Sequence, residues 1–534
     1  MEPTLDAQLR KGTRRSSPRA GLALANVANL GDLAGVHGAS TDRLAVLDLR
    51  VPGVPVGYTY PELSRLVTAL AAELVASSYA SGDRIGIMSA NRVEYVVAYL
   101  GIMKAGLVAV PINVRSGGDV LDHVIEDAGV VLTFVDAAGR EALAERTPSI
   151  DFDDPQTPFL QDLATTCQDS AGEALAGIEP PSDGLAEILY TSGSSGLPKG
   201  VPLTHAGQLW ALRTLSSEPP RRIETQIIAQ PLFHMNGLVT LCRGLALGFT
   251  TVICPRFDAS AYVDAIERYG VTSVAAVPTM WIRVLGEVAD DTSRLRSVRS
   301  LSLGSAPITQ EQVARIADAI PDADVVVSYG TTETGPAIFG AHPDGIARPP
   351  LALGYPLPGS EVRLVDGPDD THGVLTMRNP AVTDGYRGLP HLNATSFGDG
   401  WYYSGDVMRR DDNGFFYFVG RADDMFVCGG ENIYPGELET ILERHPAIGQ
   451  AAVVSLPDDE RGRIPVAFIV MSAGAHLTAG AVKSFVIEQA PAYLHPRRIA
   501  TVDELPLAGT NKIDKRKLHE IAMQLETSNE GWLA

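Results

Sequence analysis

From about residue 83 the chain reads as short runs of consecutive apolar residues separated by helix-length amphipathic segments. The runs at 85–89, 107–110 (closed by Pro111), 130–135, 186–190, 225–229, 250–254, 273–277, 300–303 and 324–328 are short enough for strands and apolar enough to be buried on both faces. Residues 93–105 read as a helix, with Gly106 as its stop. This alternation predicts an α/β fold built on parallel sheet. The longest apolar stretch, 95–112, is interrupted by Lys104 and Gly106, so it reads as a helix running into a strand and not as a membrane span.

Past about residue 360 the texture changes to short strands punctuated by Gly, Asp and Asn turns, as at 414–420. That predicts a small antiparallel or barrel-like β subdomain. A third texture starts after Arg421-Ala-Asp423-Asp: a helix at 435–443 with proline in its first turn, strands at 451–455 and 466–471, a helix around 481–489, a strand near 499–502 and a closing helix from Lys515. The expected organisation is a large N-terminal domain of parallel α/β subdomains, 21–422, whose β subdomain begins at about 360. A small, mobile α+β C-terminal domain, 424–534, follows it, with Asp423 at the boundary. Residues 1–20 carry Arg10, Lys11, Arg14, Arg15 and Arg19 with no apolar run behind them, which reads as a disordered basic arm and not as a secretory signal.

Charge narrows the set of partners. The 534 residues hold 43 Lys and Arg against 64 Asp and Glu, a formal net charge of −21. Such a field repels phosphate backbones and argues against a nucleic-acid partner. An anionic substrate must then be held by local cations and backbone amides. The four cysteines, Cys167, Cys242, Cys254 and Cys428, are scattered and form no Cys-x-x-Cys pair. That usage fits a reducing compartment, and with no signal or integral membrane segment the expected location is cytoplasmic.

The densest chemistry lies in Tyr190-Thr-Ser-Gly-Ser-Ser-Gly-Leu-Pro-Lys199-Gly200, which packs four aliphatic hydroxyls, three glycines and a lysine into eleven residues after an apolar strand. Glycines let backbone N–H groups approach an anion, hydroxyls add donors, and lysine adds a positive charge. The spacing is not that of the nucleotide loop G-x-x-x-x-G-K-[ST], since Gly200 stands where that loop has its magnesium-binding hydroxyl. Downstream, Ser328-Tyr-Gly-Thr-Thr-Glu333-Thr-Gly offers an aromatic face, hydroxyls and a carboxylate at a strand's carboxyl end. Trp401-Tyr-Tyr-Ser-Gly-Asp406 contributes a lone Asp suited to ribose hydroxyls. Leu505-Pro-Leu-Ala-Gly-Thr-Asn-Lys512 contributes one lysine on a loop before a helix.

In this order and spacing the strings closely resemble the adenylate-forming superfamily of acyl-CoA synthetases, peptide-synthetase adenylation domains and luciferases, over roughly residues 55–520. Phe233-His-Met-Asn-Gly and Asp424-Met-Phe-Val-Cys-Gly-Gly-Glu-Asn resemble its acyl-CoA synthetase branch. The resemblance implies an ATP-dependent carboxylic acid–CoA ligase. ATP and a small carboxylic acid give acyl-AMP and pyrophosphate, and CoA then displaces AMP. The alternative is an adenylating enzyme that delivers to a separate carrier protein or another nucleophile, or that activates a substrate other than a carboxylate.

By the same resemblance Thr191, Ser192, Gly193, Ser194, Ser195, Gly196 and Lys199 grip the β- and γ-phosphates. Tyr329, Gly330, Thr331 and Thr332 contact adenine and the α-phosphate, Asp406 and Arg421 hold the ribose, and Glu333 binds Mg²⁺. Lys512 bridges the acyl carboxylate and the phosphate, and His234 joins Lys512, Glu333, Thr332 and Lys199 among the catalytic candidates. Asp423 matches the hinge of a domain rotation. That rotation brings Gly429 and Gly430 to the site, where a narrow passage for the CoA arm requires close backbone approach. The acyl pocket is assigned to His234, Met235, Asn236, Trp281, Arg283, Gly304, Ser305 and Ala306. Arg283, a candidate partner for a second carboxylate, lies ~200° around its helix from Trp281, which favours a solvated arginine. Two departures from the family pattern stand out: Asn511 where glycine is usual before the lysine, and Tyr493-Leu-His-Pro496 where a basic residue is usual.

Overall fold

The computed structural model describes residues 24–38, 42–51, 53–77, 79–166, 175, 178, 184–191, 197–217, 224–472, 474–508, 512–528 and 530–533. The basic arm, Cys167, the run Ser192 to Gly196, and Asn511 lie outside them. The apolar runs become two separate sheets. One has six strands, parallel except for Lys199–Thr204 at its edge; the other has seven, parallel except for Val56–Thr59. Strands 130–135 and 300–303 occupy the residues their apolar runs predict.

Between the sheets lies the helix Val93–Lys104, whose first eleven residues are all buried. A helix apolar on every face needs cover on every face, and this one is covered by the helix Tyr60–Ala76, the helix Met235–Leu247 and both sheets. Its one charged residue near the start, Glu94, is held by Arg92 at 2.8 and 3.0 Å. The stretch 95–112 is accordingly this helix followed by the strand Val108–Pro111. Among the described residues no helix is long and apolar enough to cross a membrane.

The part before residue 83, which carries no clear alternation, completes the second sheet. The strand Leu44–Asp48 pairs in parallel with Thr250–Ile253, some 200 residues away. The helix Tyr60–Ala76 starts on a reciprocal cap between Thr59 and Glu62. From residue 361 a five-stranded antiparallel sheet follows, with a core of Ile338, Leu375, Met377, Tyr402 and Met408.

Beyond it a second five-stranded sheet and the helices Pro435–Glu443, Ala479–Gln489 and Lys515–Ser528 enclose their own core around Phe468. The two bodies touch through Gln312, whose Nε2 donates to Glu443 Oε2 at 2.8 Å.

Candidate active site

The serine- and glycine-rich string is flanked by two paired strands. Leu185–Thr191 pairs antiparallel with Lys199–Thr204, and Thr191 sits opposite Lys199. Pairing fixes both stems, so Lys199 leaves the strand in a set direction. Its ammonium lies 4.4 Å from the centre of the Tyr386 ring, a cation–π distance. The Tyr386 hydroxyl in turn donates to Glu333 Oε1 at 2.8 Å and lies 3.3 Å from the Tyr402 hydroxyl.

One tyrosine thus joins the lysine of the first string to the carboxylate of the second. Sequence reasoning passed over it. Its local signal is the turn Thr383-Asp-Gly-Tyr386. Gly385 has φ +140°, and a Cβ there would meet the Asn393 side chain at 2.8 Å. The Arg387 N–H then donates to the Gly200 carbonyl at 2.9 Å and docks the turn on the hairpin.

The segment after the strand Asp324–Val327 is held by close packing. A Cβ on Gly330 would sit 2.8 Å from Pro336 Cα, so only glycine fits. Thr331 turns its hydroxyl back to Thr334 at 2.9 Å, while Thr332 is half-buried beside it. The Tyr329 hydroxyl donates to Asp406 Oδ2 at 2.5 Å. Arg421 donates from Nη1 to Asp406 Oδ1 at 3.0 Å, and its Nε and Nη2 take Asp423 in a fork at 2.8 and 3.1 Å.

These contacts set the electrostatics. Burial raises the Asp406 carboxyl above its ordinary range, against the pull of Arg421 and Tyr329. At Asp423 burial acts in the same direction, but the Arg421 fork outweighs it and Lys199 assists, leaving that carboxyl below the usual range.

Lys512 comes from the C-terminal body to this same place. Its loop is closed by the Ala508 N–H on the Lys512 carbonyl at 2.8 Å and a bridge between Leu507 and Ile513. Lys512 is exposed. Even so, the surrounding protein lowers its ammonium below the ordinary value, with Asp406 drawing it up and Arg421 pushing it down. His234 lies within reach of that charge. Burial first, and Lys512 second, bring its imidazole down to about 4, so it is neutral at pH 7. Lys199, His234, Tyr329, Thr332, Glu333, Asp406, Arg421, Asp423 and Lys512 are therefore brought together by the fold.

Glu333 suits magnesium. It is 7% exposed, one oxygen accepts from Tyr386, and among the described residues no donor reaches the other. No cluster of three His, Cys, Asp or Glu exists among those residues to hold a metal alone. One carboxylate completed by phosphate oxygens and water is the donor set Mg²⁺ takes.

The acyl-pocket candidates divide. His234 begins the helix Met235–Leu247, and Asn236 Nδ2 reaches Ser305 Oγ at 3.5 Å, which places that helix start against the Gly304-Ser-Ala turn. Gly304 admits no side chain, since a Cβ would meet Ser328 Oγ at 2.5 Å. Ser305 stands at φ +67°, which turns the chain sharply there.

Two assignments fail. Trp281 has no accessible surface and belongs to the core with Met280, Val284 and Val288, so it lines no open pocket. Arg283 is exposed, with its guanidinium 5.6 Å from the Phe257 ring, on the outside of its helix. The glycine pair 429–430 is also explained differently. It forms the two-residue turn of a hairpin in which Cys428 faces Glu431, at φ +61° and +92°, and nothing lies within 4 Å of either Cβ position. The positive φ values require glycine there, not crowding. Of the cysteines, Cys242, Cys254 and Cys428 are free and buried.

Glu333 beside Tyr386, the Lys199-bearing strand, the Tyr329–Asp406–Arg421 cluster and Lys512 from the small C-terminal body thus form one polar site. Residues 37–387 match the family model for the AMP-binding enzyme, and residues 437–512 match that for the AMP-binding enzyme C-terminal domain. The chain belongs to this adenylate-forming family. It is 32% identical to a feruloyl-CoA synthase of Amycolatopsis sp, over 86% of this chain and 92% of that one. It is 30% identical to the fatty acid–[acyl-carrier-protein] ligase ScoC of Streptomyces coeruleorubidus, over 86% and 91%. Among solved structures, ATP-bound MatB from Rhodopseudomonas palustris superimposes with a TM-score of 0.80 at 27% identity, covering 93% of this chain and 99% of that one.

Proposed function

We propose that the protein is an ATP-dependent carboxylic acid–CoA ligase. An oxygen of the acid attacks the α-phosphorus of ATP, the bond to the β-phosphate oxygen breaks, and pyrophosphate leaves. The thiol sulfur of CoA then attacks the acyl carbon, its proton goes to solvent, and the bond to AMP breaks. The observation that carries this reading is that Lys512, from the C-terminal body, lies near enough to Asp406, Arg421 and His234 for their charges to act on one another. A cation there faces both the incoming carboxylate and the phosphate it attacks, where negative charge accumulates.

In this reading Lys199, steadied on Tyr386, and the serine- and glycine-rich string before it hold the outer phosphates, and Tyr329 lies against adenine. Asp406 and Arg421 take the ribose hydroxyls, and Glu333 holds Mg²⁺, which when bound neutralises phosphate charge. The position of Lys512 suits the first half-reaction. The second follows rotation of residues 424–534 about Asp423, which withdraws Lys512 and presents the Cys428-Gly-Gly hairpin. The relative named as a feruloyl-CoA synthase supports CoA as acceptor; the one named as an acyl-carrier-protein ligase favours a carrier protein as the second reading.

The test is ATP–pyrophosphate exchange against a panel of aliphatic and aryl acids, followed by CoA and mass detection of thioester. Acid-dependent exchange with thioester is expected. Exchange with no thioester assigns a different acceptor, and no exchange with any acid overturns the reading.

A further inference from the structure

The helix Met235–Leu247 presents Met235, Leu238, Val239 and Cys242 along one face, at spacings of three and four residues. That face borders a small cavity lined also by Tyr99, Glu187 and Gln208, which are buried, and by Pro336, which like Met235 is half-buried. The cavity has room for about one oxygen-sized group. Its two ends differ in character. Met235 follows His234 at the site where the acid is activated. From there to Cys242 the helix runs seven residues, roughly 10 Å inward.

The inner end is polar and incompletely satisfied. Glu187 is 2% exposed, and its hydrogen bond among the described residues comes from the Tyr99 hydroxyl at 3.0 Å. Burial pushes its carboxyl up to about 7. Gln208 is 5% exposed, and its Nε2, fully buried, has no hydrogen-bond partner. An unpaired buried amide is costly, and the pair presents an acceptor and a free donor to one small space. A hydroxyl is the group that satisfies both, donating its hydrogen to the carboxylate and accepting from the amide.

We propose that this cavity is the far end of the acid-binding pocket, and that Glu187 and Gln208 bind a hydroxyl carried by the substrate roughly 10 Å from its carboxylate. The substrate class is thus a hydroxylated acid of arylpropenoic or medium-chain length. The body of the acid lies on the outer side, against Asn236 and the Gly304-Ser-Ala turn, and only its hydroxyl passes Met235 and Pro336. The inference rests on the ligase reading above and adds the chemistry of the acid's distal end.

The probes are matched acid pairs: 4-hydroxycinnamic against cinnamic acid, and 8-hydroxyoctanoic against octanoic acid, each in pyrophosphate exchange with the full chain. A site built to bond a hydroxyl rejects the analogue lacking it, so kcat/KM is expected to favour a hydroxylated member by about 100-fold or more. Gln208→Leu and Glu187→Leu should each collapse that ratio by at least about tenfold. A purely structural role predicts equal loss on both members of a pair.

Gln208→Leu removes an unpaired donor, so its melting temperature should equal or exceed the parent's; a clear fall means that Gln208 is bonded in the free protein and overturns the proposal. Should Glu187→Leu fail to fold, the parent's ratio and Gln208→Leu still decide. A parent ratio near one in both pairs, or no exchange with any of the four acids, also overturns the proposal. The ligase reading fails only when the wider panel is silent as well.

Discussion

Asp406 and Glu187 are two carboxylates buried almost equally, at 6% and 2% exposed, yet they are built to different ends. Asp406 accepts from Arg421 on one oxygen and Tyr329 on the other, and the Arg421 fork continues to Asp423, so each oxygen has a protein partner and its neighbours are held. Glu187 accepts from Tyr99 alone among the described residues and faces an unpartnered amide. The first arrangement is held in place by the protein alone, as suits the invariant nucleotide of the proposed reaction. The second is incomplete without a ligand, which is where selectivity for a variable substrate can reside.

The largest expected effect lies where the nucleotide half receives its outside cation. Lys512→Ala should lower acid-dependent pyrophosphate exchange by about 100- to 1,000-fold. Conversion of supplied acyl-AMP plus CoA should fall far less; equal loss of both half-reactions in a folded variant would remove the division of roles.

Next is Asp406→Ala, which strips the shared partner from Arg421 and Tyr329. It should raise KM for ATP about 10- to 100-fold. The corresponding change at Glu187 should act on the acid and leave the ATP response smaller, a contrast that steady-state kinetics in both substrates reads directly.

Tyr386 allows a finer cut. Tyr386→Phe removes one hydrogen bond to Glu333 and keeps the ring under Lys199, so about a fivefold loss in kcat/KM for ATP is expected, with a raised magnesium requirement. Tyr386→Leu removes the ring as well and should cost several-fold more.

The smallest effect concerns stability. The folded Glu187 carboxyl titrates near 7 against an ordinary 4.5, so between those values the folded state binds more protons than the unfolded one. Stability therefore falls as pH rises through this window, by up to about 3 kcal/mol above pH 7. Glu187→Gln removes this dependence. Its melting temperature relative to the parent should rise by a few degrees between pH 5 and pH 8, and a constant difference would show that Glu187 is not charged at a cost.

Much of the scaffold was legible because its strands are buried on both faces and need no partner to be recognised as apolar runs. Residues 130–135 and 300–303 are strands as read. The strand Leu44–Asp48 was not read, although five consecutive buried residues form it, because nothing local shows that it completes a sheet with Thr250–Ile253. In the site, the candidates proposed for phosphate, ribose and magnesium could be named from their strings. Tyr386 could not, since its importance comes from Lys199 and Glu333, residues that lie 187 and 53 positions away. Trp281 failed for the converse reason: an aromatic near pocket-forming strings looks like a wall until packing puts it wholly inside.

What the sequence determined by itself is the inventory of groups and the local backbone that carries them: the glycines that permit positive φ at 429 and 430, the apolar runs, the two lysines and the carboxylates. What only the tertiary structure decided is the state of each group. Whether a buried acid is satisfied, as Asp406 is, or left facing an empty donor, as Glu187 is, depends on partners far away in the chain. Hydrogen bonds and desolvation act over a few ångströms in space, whatever the separation in sequence.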